Sequence, residues 1–318
     1  MVHGGRGWLA VGQAAAQTRS AYPVAGGAIP EAPASYQPVI LTSATGASWV
    51  PAFTRSPLAA PGASLAQAAA GPVGYVVVGS APALGTSASG ASAPGTSVPV
   101  AWYSENLGTW ARVLLPVPAG YAPGGTAATR QVLAVTAGGP GFVAVGSAGS
   151  TPAAWTSRGG SAWQFTALPR PAGAAGAVLT KVTAAGGRVV AAGYAWRAGS
   201  APAGGRPFTA VSAGGGRTWR DSVLPAPPGP GEVTALAAAG HGFVAVGRTG
   251  LPGRQVMVAW WSSNGLSWHE SAPAGGGLRG LFVMQINAVA AGNGALTGAG
   301  FAASTTAEHP VLWNARYR

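Results

Sequence analysis

The chain has 318 residues, of which only 8% are charged, and its formal net charge is +12. Gly and Pro together supply about a quarter of it, a level that invites disorder. Twelve tryptophans and a hydrophobic share of 48% exclude a chain unable to bury a core. The lack of cysteine excludes disulfides and thiolate metal sites.

Residues 1–20 show no signal-peptide pattern, because no long apolar stretch precedes a cleavage site. They contain instead a short apolar run, GWLAVG (Gly7–Gly12). Runs of the same form follow along the chain: GYVVVG (Gly74–Gly79), GFVAVG (Gly141–Gly146), RVVAAG (Arg188–Gly193), GFVAVG (Gly242–Gly247) and ALTGAG (Ala295–Gly300). Each is too short for a helix, and the runs are rich in β-branched residues, which predicts buried strands.

After each of the first five runs comes a second short strand, a Ser-Gly turn and a tryptophan. The segments are TSATGASW ending at Trp49, YSENLGTW at Trp110, TSRGGSAW at Trp163, SAGGGRTW at Trp219 and SSNGLSW at Trp268. A further tryptophan sits eight residues before three of them, at Trp102, Trp155 and Trp260, and Trp313 occupies that place in a sixth unit. Before the apolar runs, aliphatic residues recur at Leu65, Val132, Leu179, Val233 and Ile286. They mark an inner strand close to a crowded axis.

Each unit of about 50 residues therefore reads as four antiparallel strands, A to D, which is the pattern of a β-propeller blade. A lone blade cannot cover both of its faces, so blades must stack around an axis. The expected fold is all-β, a single β-propeller over residues 1–318 with about six blades. Their approximate bounds are 1–57, 58–118, 119–171, 172–227, 228–275 and 276–318. The first and last blades are expected to be incomplete: strand A of the first lies upstream of Met1, and strand D of the last is missing. The uncharged stretch from Val132 to Gly149 belongs to this repeat, so a transmembrane helix is rejected there.

The Ser-Gly-Trp turn resembles the Asp-box, Ser-x-Asp-x-Gly-x-Thr-Trp, of sialidase-like (BNR-type) propellers. Ser212–Trp219 matches it at Ser, Gly, Thr and Trp. None of the five turns has the Asp; Thr45, Asn106, Gly159, Gly214 and Asn264 stand at the positions open to it. In that family the box stabilises the C–D turn, away from the active site. The resemblance implies that the Asn side chains stand in as local acceptors, Thr45 less well. It speaks to fold more than to function.

The family also implies a ligand face formed by the B–C and D–A loops. Arg55, Arg130, Arg170, Arg206 and Arg279 are expected there, with Trp196 in a B–C loop outside the repeat pattern. These six are the candidate ligand contacts. A basic face favours anionic partners such as an acidic polysaccharide, or a protein ligand; the arginines are scattered rather than clustered, which disfavours nucleic acid. Arginine on loops also serves plain solvation. Glycosidase chemistry needs paired carboxylates, and the acids Glu31, Glu105, Asp221, Glu232, Glu270 and Glu308 offer no evident pair. No catalytic set, metal ligand set or cofactor motif is read. The expectation is a monomeric binding or scaffolding module at the bacterial cell surface; a degenerate sialidase-like hydrolase and a protein-interaction platform are the alternatives.

Overall fold

The computed structural model describes residues 1–15, 36–52, 62–83, 97–121, 130–200, 205–226, 229–250, 256–271, 283–303 and 308–316. Within them, six antiparallel sheets follow one another along the chain. Blade 1 holds β1 (Val2–Gly4), β2 (Gly7–Ala15), β3 (Tyr36–Ser43) and β4 (Val50–Pro51). Blade 2 holds β5 (Ser64–Gly71), β6 (Gly74–Pro82), β7 (Ser97–Ser104) and β8 (Ala111–Leu114). Blade 3 holds β9 (Arg130–Gly138), β10 (Gly141–Ala148), β11 (Thr151–Ser157) and β12 (Gln164–Ala167). Blade 4 holds β13 (Gly176–Ala185), β14 (Arg188–Trp196), β15 (Arg206–Ser212) and β16 (Arg220–Val223). Blade 5 holds β17 (Gly231–Ala239), β18 (Gly242–Thr249), β19 (Val256–Ser262) and β20 (His269–Ser271). Blade 6 holds β21 (Val283–Gly292), β22 (Ala295–Ala303) and β23 (Glu308–Arg316).

Inner strands of successive blades pack in order, β1 on β5, then β9, β13, β17 and β21, which makes the molecule a six-bladed β-propeller. None of its described helices is long and apolar enough to cross a membrane. One expectation needs correcting. Blade 1 has its own inner strand, with Val2 opposite Leu9 and Gly4 opposite Gly7. It is only three residues long and covers only the A–B turn end of β2. Blade 6 has three strands among the described residues, without an outer one.

The apolar runs of blades 2 to 5 are continuous because these blades bury both faces, whereas Thr297 and Ala299 of β22 in blade 6 are exposed. Phe142 and Ala144 of β10 pack with Val76, Val78 and Ala101 of blade 2. Val143 and Val145, on the other face, pack with Leu179 and Val182 of blade 4. The aliphatic markers Leu65, Val132, Leu179, Val233 and Ile286 are all buried on the inner strands. Trp102, Trp155 and Trp260 are fully buried. Trp155 Nε1 donates to the Pro116 carbonyl of blade 2 at 2.8 Å, and Trp260 Nε1 to the Pro225 carbonyl of blade 4, so these two rings tie blade 3 to blade 2 and blade 5 to blade 4.

The five Ser-Gly-Trp turns share one construction. A buried serine oxygen accepts from the backbone N–H three or four residues on: Ser43 from Gly46, Ser104 from Leu107, Ser157 from Gly160, Ser212 from Gly216 and Ser262 from Gly265, at 2.8–2.9 Å. The tryptophan folds back, and its indole N–H donates to the carbonyl of that same residue. That residue has a positive φ in all five turns, which suits glycine. In the second turn it is Leu107, at φ 65°, and the glycine lies one position later. Asn106 and Asn264 each accept two further backbone N–H groups, at 2.8 and 2.9 Å. Thr45 makes a single longer bond of 3.3 Å to Ala47 N. Asn264→Ala is therefore expected to cost about 1 kcal/mol, read as a lower thermal midpoint. Asn264→Asp keeps the acceptor and should hold the midpoint; an equal loss in both variants would mean that the acceptor is irrelevant.

Candidate functional site

Strands B do not stop at the glycine that ends each apolar run. In blade 4 the strand continues through Tyr194 and Ala195, and Trp196 is its last residue, paired with Gly176. Trp196 thus belongs to β14, not to the B–C loop as expected from the repeat. Its indole lies against Gly176, where an added Cβ would sit 2.2 Å from the ring. Its carbonyl accepts from Ala175 N at 2.9 Å, which clips the D–A turn after blade 3 to the end of β14. Tyr194 stands near, with ring centroids 6.2 Å apart.

This clipped corner forms one wall of a slot of about 510 Å³. Its other walls are the start of β15, from Arg206 to Phe208, and the turn at Gly229 and Pro230 that enters blade 5. Trp196 is half-buried, while Arg197 and Arg206 are exposed. The slot therefore sets Trp196 beside two arginines, and among the described residues no carboxylate lines it. The place of Arg197 in the slot follows from the length of β14, which the six-residue repeat does not reveal.

The remaining candidates are dispersed. Arg170 stands at the border of the slot, and its Nη1 donates to the Ala175 carbonyl at 2.7 Å, so it braces the same turn. Arg130 is in blade 3, at the start of β9 opposite Ala148, and is half-buried. Arg55 and Arg279 lie outside the described residues.

Nearer the axis, at the same end of blades 4 and 5, is a second polar group. Glu232 at the start of β17 pairs with Arg248 Nε at 2.6 Å. Burial lowers the pKa of Lys181 on β13, and Glu232 partly opposes that shift. Burial raises the pKa of Tyr194, and Glu232 adds to the rise. The other described acids are remote from this group. Glu105 is in a C–D turn, where it accepts from the Tyr103 hydroxyl at 3.2 Å. Asp221 and Glu270 are exposed on the outer strands β16 and β20. Among the described residues no second carboxylate joins Glu232, and no three His, Cys, Asp or Glu residues converge as metal ligands. An indole can stack on a ligand ring, and guanidinium groups can donate charge-assisted hydrogen bonds to an anion.

No protein-family model and no curated protein matches the chain. Solved structures to which it is similar include the GH32 beta-fructofuranosidase of Bombyx mori, at 13% identity and TM-score 0.42, covering 74% of this chain and 55% of that one. YCF48 with a bound peptide gives 12% identity and TM-score 0.46, covering 86% of this chain and 76% of that one. A polysaccharide lyase of family PL25, an ulvan lyase, gives 11% and 0.47, covering 88% and 79%. The chain spans about half the length of the first of these, and all three likenesses are too distant to carry an activity across.

Proposed function

We propose that the protein is a binding propeller whose slot beside Trp196 takes a segment of an anionic polysaccharide. One observation carries this reading. The slot joins Trp196 to Arg197 and Arg206 in a concavity of about 510 Å³ that no carboxylate among the described residues lines. Concave sites with an apolar body and a few convergent polar groups are the usual form of a ligand site. The excess of cations over anions in the whole chain adds a long-range attraction for polyanions. The engagement of Glu232 with Arg248 supports binding over glycosidic cleavage, which requires two carboxylates flanking the bond. The Ser-Gly-Trp turns are read as Asp-boxes in which Asn106 and Asn264 replace the acidic acceptor, a reading supported by their paired backbone hydrogen bonds.

The test is retention of the purified protein on anionic and neutral polysaccharide, at low and at physiological salt. Retention on the anionic polymer is expected, weakening with salt as exposed charges are screened. Trp196→Ala and Arg206→Ala should each weaken it about tenfold, or about 1.4 kcal/mol. Retention that both variants keep in full would remove the slot from the account.

A further inference from the structure

The chain carries its positive charge almost wholly as arginine: of its 18 Lys and Arg residues only Lys181 is a lysine. A guanidinium keeps its proton in any ordinary environment, whereas a lysine amine gives it up readily once desolvated. The place of Lys181 in the fold is unusual as well. It follows the β-bulge of β13 and stands opposite Ala192 of β14. Ala192 packs with Val233 and Ala245 of blade 5, so Lys181 faces the seam between blades 4 and 5. In blades 3 and 5 the equivalent place, just past the bulge, holds a buried alanine, Ala134 and Ala235. A methyl group is therefore enough for packing there, and the lysine adds an amine.

Tyr194 lies two residues beyond Ala192 on the same face of β14, so it shares this seam with Lys181. Both residues are half-buried. Neither the amine of Lys181 nor the hydroxyl of Tyr194 forms an ion pair or hydrogen bond with another described residue. Glu232 of blade 5 is near enough to act on the charge of both. Its carboxylate is held by Arg248 Nε at 2.6 Å. Burial lowers the pKa of Lys181 by more than Glu232 restores, so the neutral amine forms more readily than in an exposed lysine.

We infer that Lys181 is an amine nucleophile that holds a small aldehyde as a reversible imine. The nitrogen adds to the carbonyl carbon and loses one hydrogen, while the carbonyl oxygen gains one, which gives a carbinolamine. The nitrogen then loses its second hydrogen as the C=N bond forms, and the former carbonyl oxygen leaves as water. No oxidant or reductant enters. The Tyr194 hydroxyl is the donor on the seam for that oxygen, and Glu232 sets how much of the amine is protonated. Lys181 is half-buried between packed blades, which restricts the reaction to small carbonyl compounds. Neither Trp196 nor the arginines of the slot take part, so this site stands apart from the polysaccharide reading.

The probe is glycolaldehyde with cyanoborohydride, applied to the full chain together with a reference peptide that has one exposed lysine. The hydride fixes the imine as a secondary amine, and peptide mass spectrometry reads the adduct. At neutral pH Lys181 is expected to be trapped severalfold faster than the reference lysine, and urea should abolish that advantage. Glu232→Gln removes the carboxylate that favours the ammonium form, so the pH of half-maximal trapping should fall. Tyr194→Phe should slow trapping without moving that pH. Lys181→Ala should fold with a thermal midpoint unchanged or higher, as alanine serves in blades 3 and 5. Trapping no faster than in the reference peptide overturns the inference, and so does an advantage that persists in urea or a pH profile that ignores Glu232→Gln. A lower midpoint for Lys181→Ala also overturns it, because the lysine would then be a packing residue.

Discussion

Trp155→Ala is expected to destabilise the propeller by about 3–5 kcal/mol. The ring is fully buried and packs with Val76, Val78 and Ala101 of the preceding blade. It meets Phe165 edge-on, with centroids 5.8 Å apart. Truncation opens a cavity at a blade interface and leaves the Pro116 carbonyl without its indole donor. Neither the lost area nor the lost bond can be replaced locally, because the packed blades cannot close over the gap. Urea denaturation measures the loss. A change below about 1 kcal/mol would mean that the interface between blades 2 and 3 contributes little. Trp261→Ala is the matched contrast: the exposed ring should cost little.

Gly146→Ala is expected to cost about 3 kcal/mol, although it adds a single methyl. Gly146 stands where the register between β9 and β10 slips, and a Cβ there would lie 1.9 Å from the Gln131 carbonyl oxygen. The obstacle is backbone in the innermost strand, so no side chain can swing aside. The same close approach recurs at Gly79, Gly193, Gly247 and Gly300, at 1.8–2.0 Å. In blades 2 to 6 the glycine that ends the apolar run therefore marks a β-bulge near the axis, where backbone must pass backbone. Equal thermal midpoints for Gly146→Ala and the wild type would contradict this reading.

The fold was legible because its physics repeats. A strand buried on both faces reads as an unbroken apolar run, and six apolar runs, five of them followed by a Ser-Gly-Trp turn, leave few alternatives to a propeller. What repetition cannot show lies at its exceptions. Leu107 holds a left-handed conformation where glycine was expected, because a neighbouring glycine satisfies the eye without occupying the position. The inner strand of blade 1 is not legible because the place of the aliphatic marker before the first run falls upstream of Met1, whereas three residues suffice to pair with β2. Trp196 reads as loop because it lies beyond the six-residue run, yet strand pairing extends three residues past Gly193 and makes it the end of β14. The convergence of Trp196 with Arg206 joins residues from two strands separated by a loop, and spacing alone does not reveal it. Trp261 is hidden inside a Trp-Trp pair: only the register shows that Trp260 faces the core while its neighbour lines a cavity between blades 5 and 6.

The most direct measurement of the central claim is hydrogen–deuterium exchange of the chain with and without an acidic oligosaccharide. Protection is expected in the D–A turn at 171–175, at the end of β14 through residue 200, and at the start of β15, with the outer strands unchanged. Protection confined to other blades, or none at a ligand concentration that retains the protein on a column, would contradict a binding slot at Trp196.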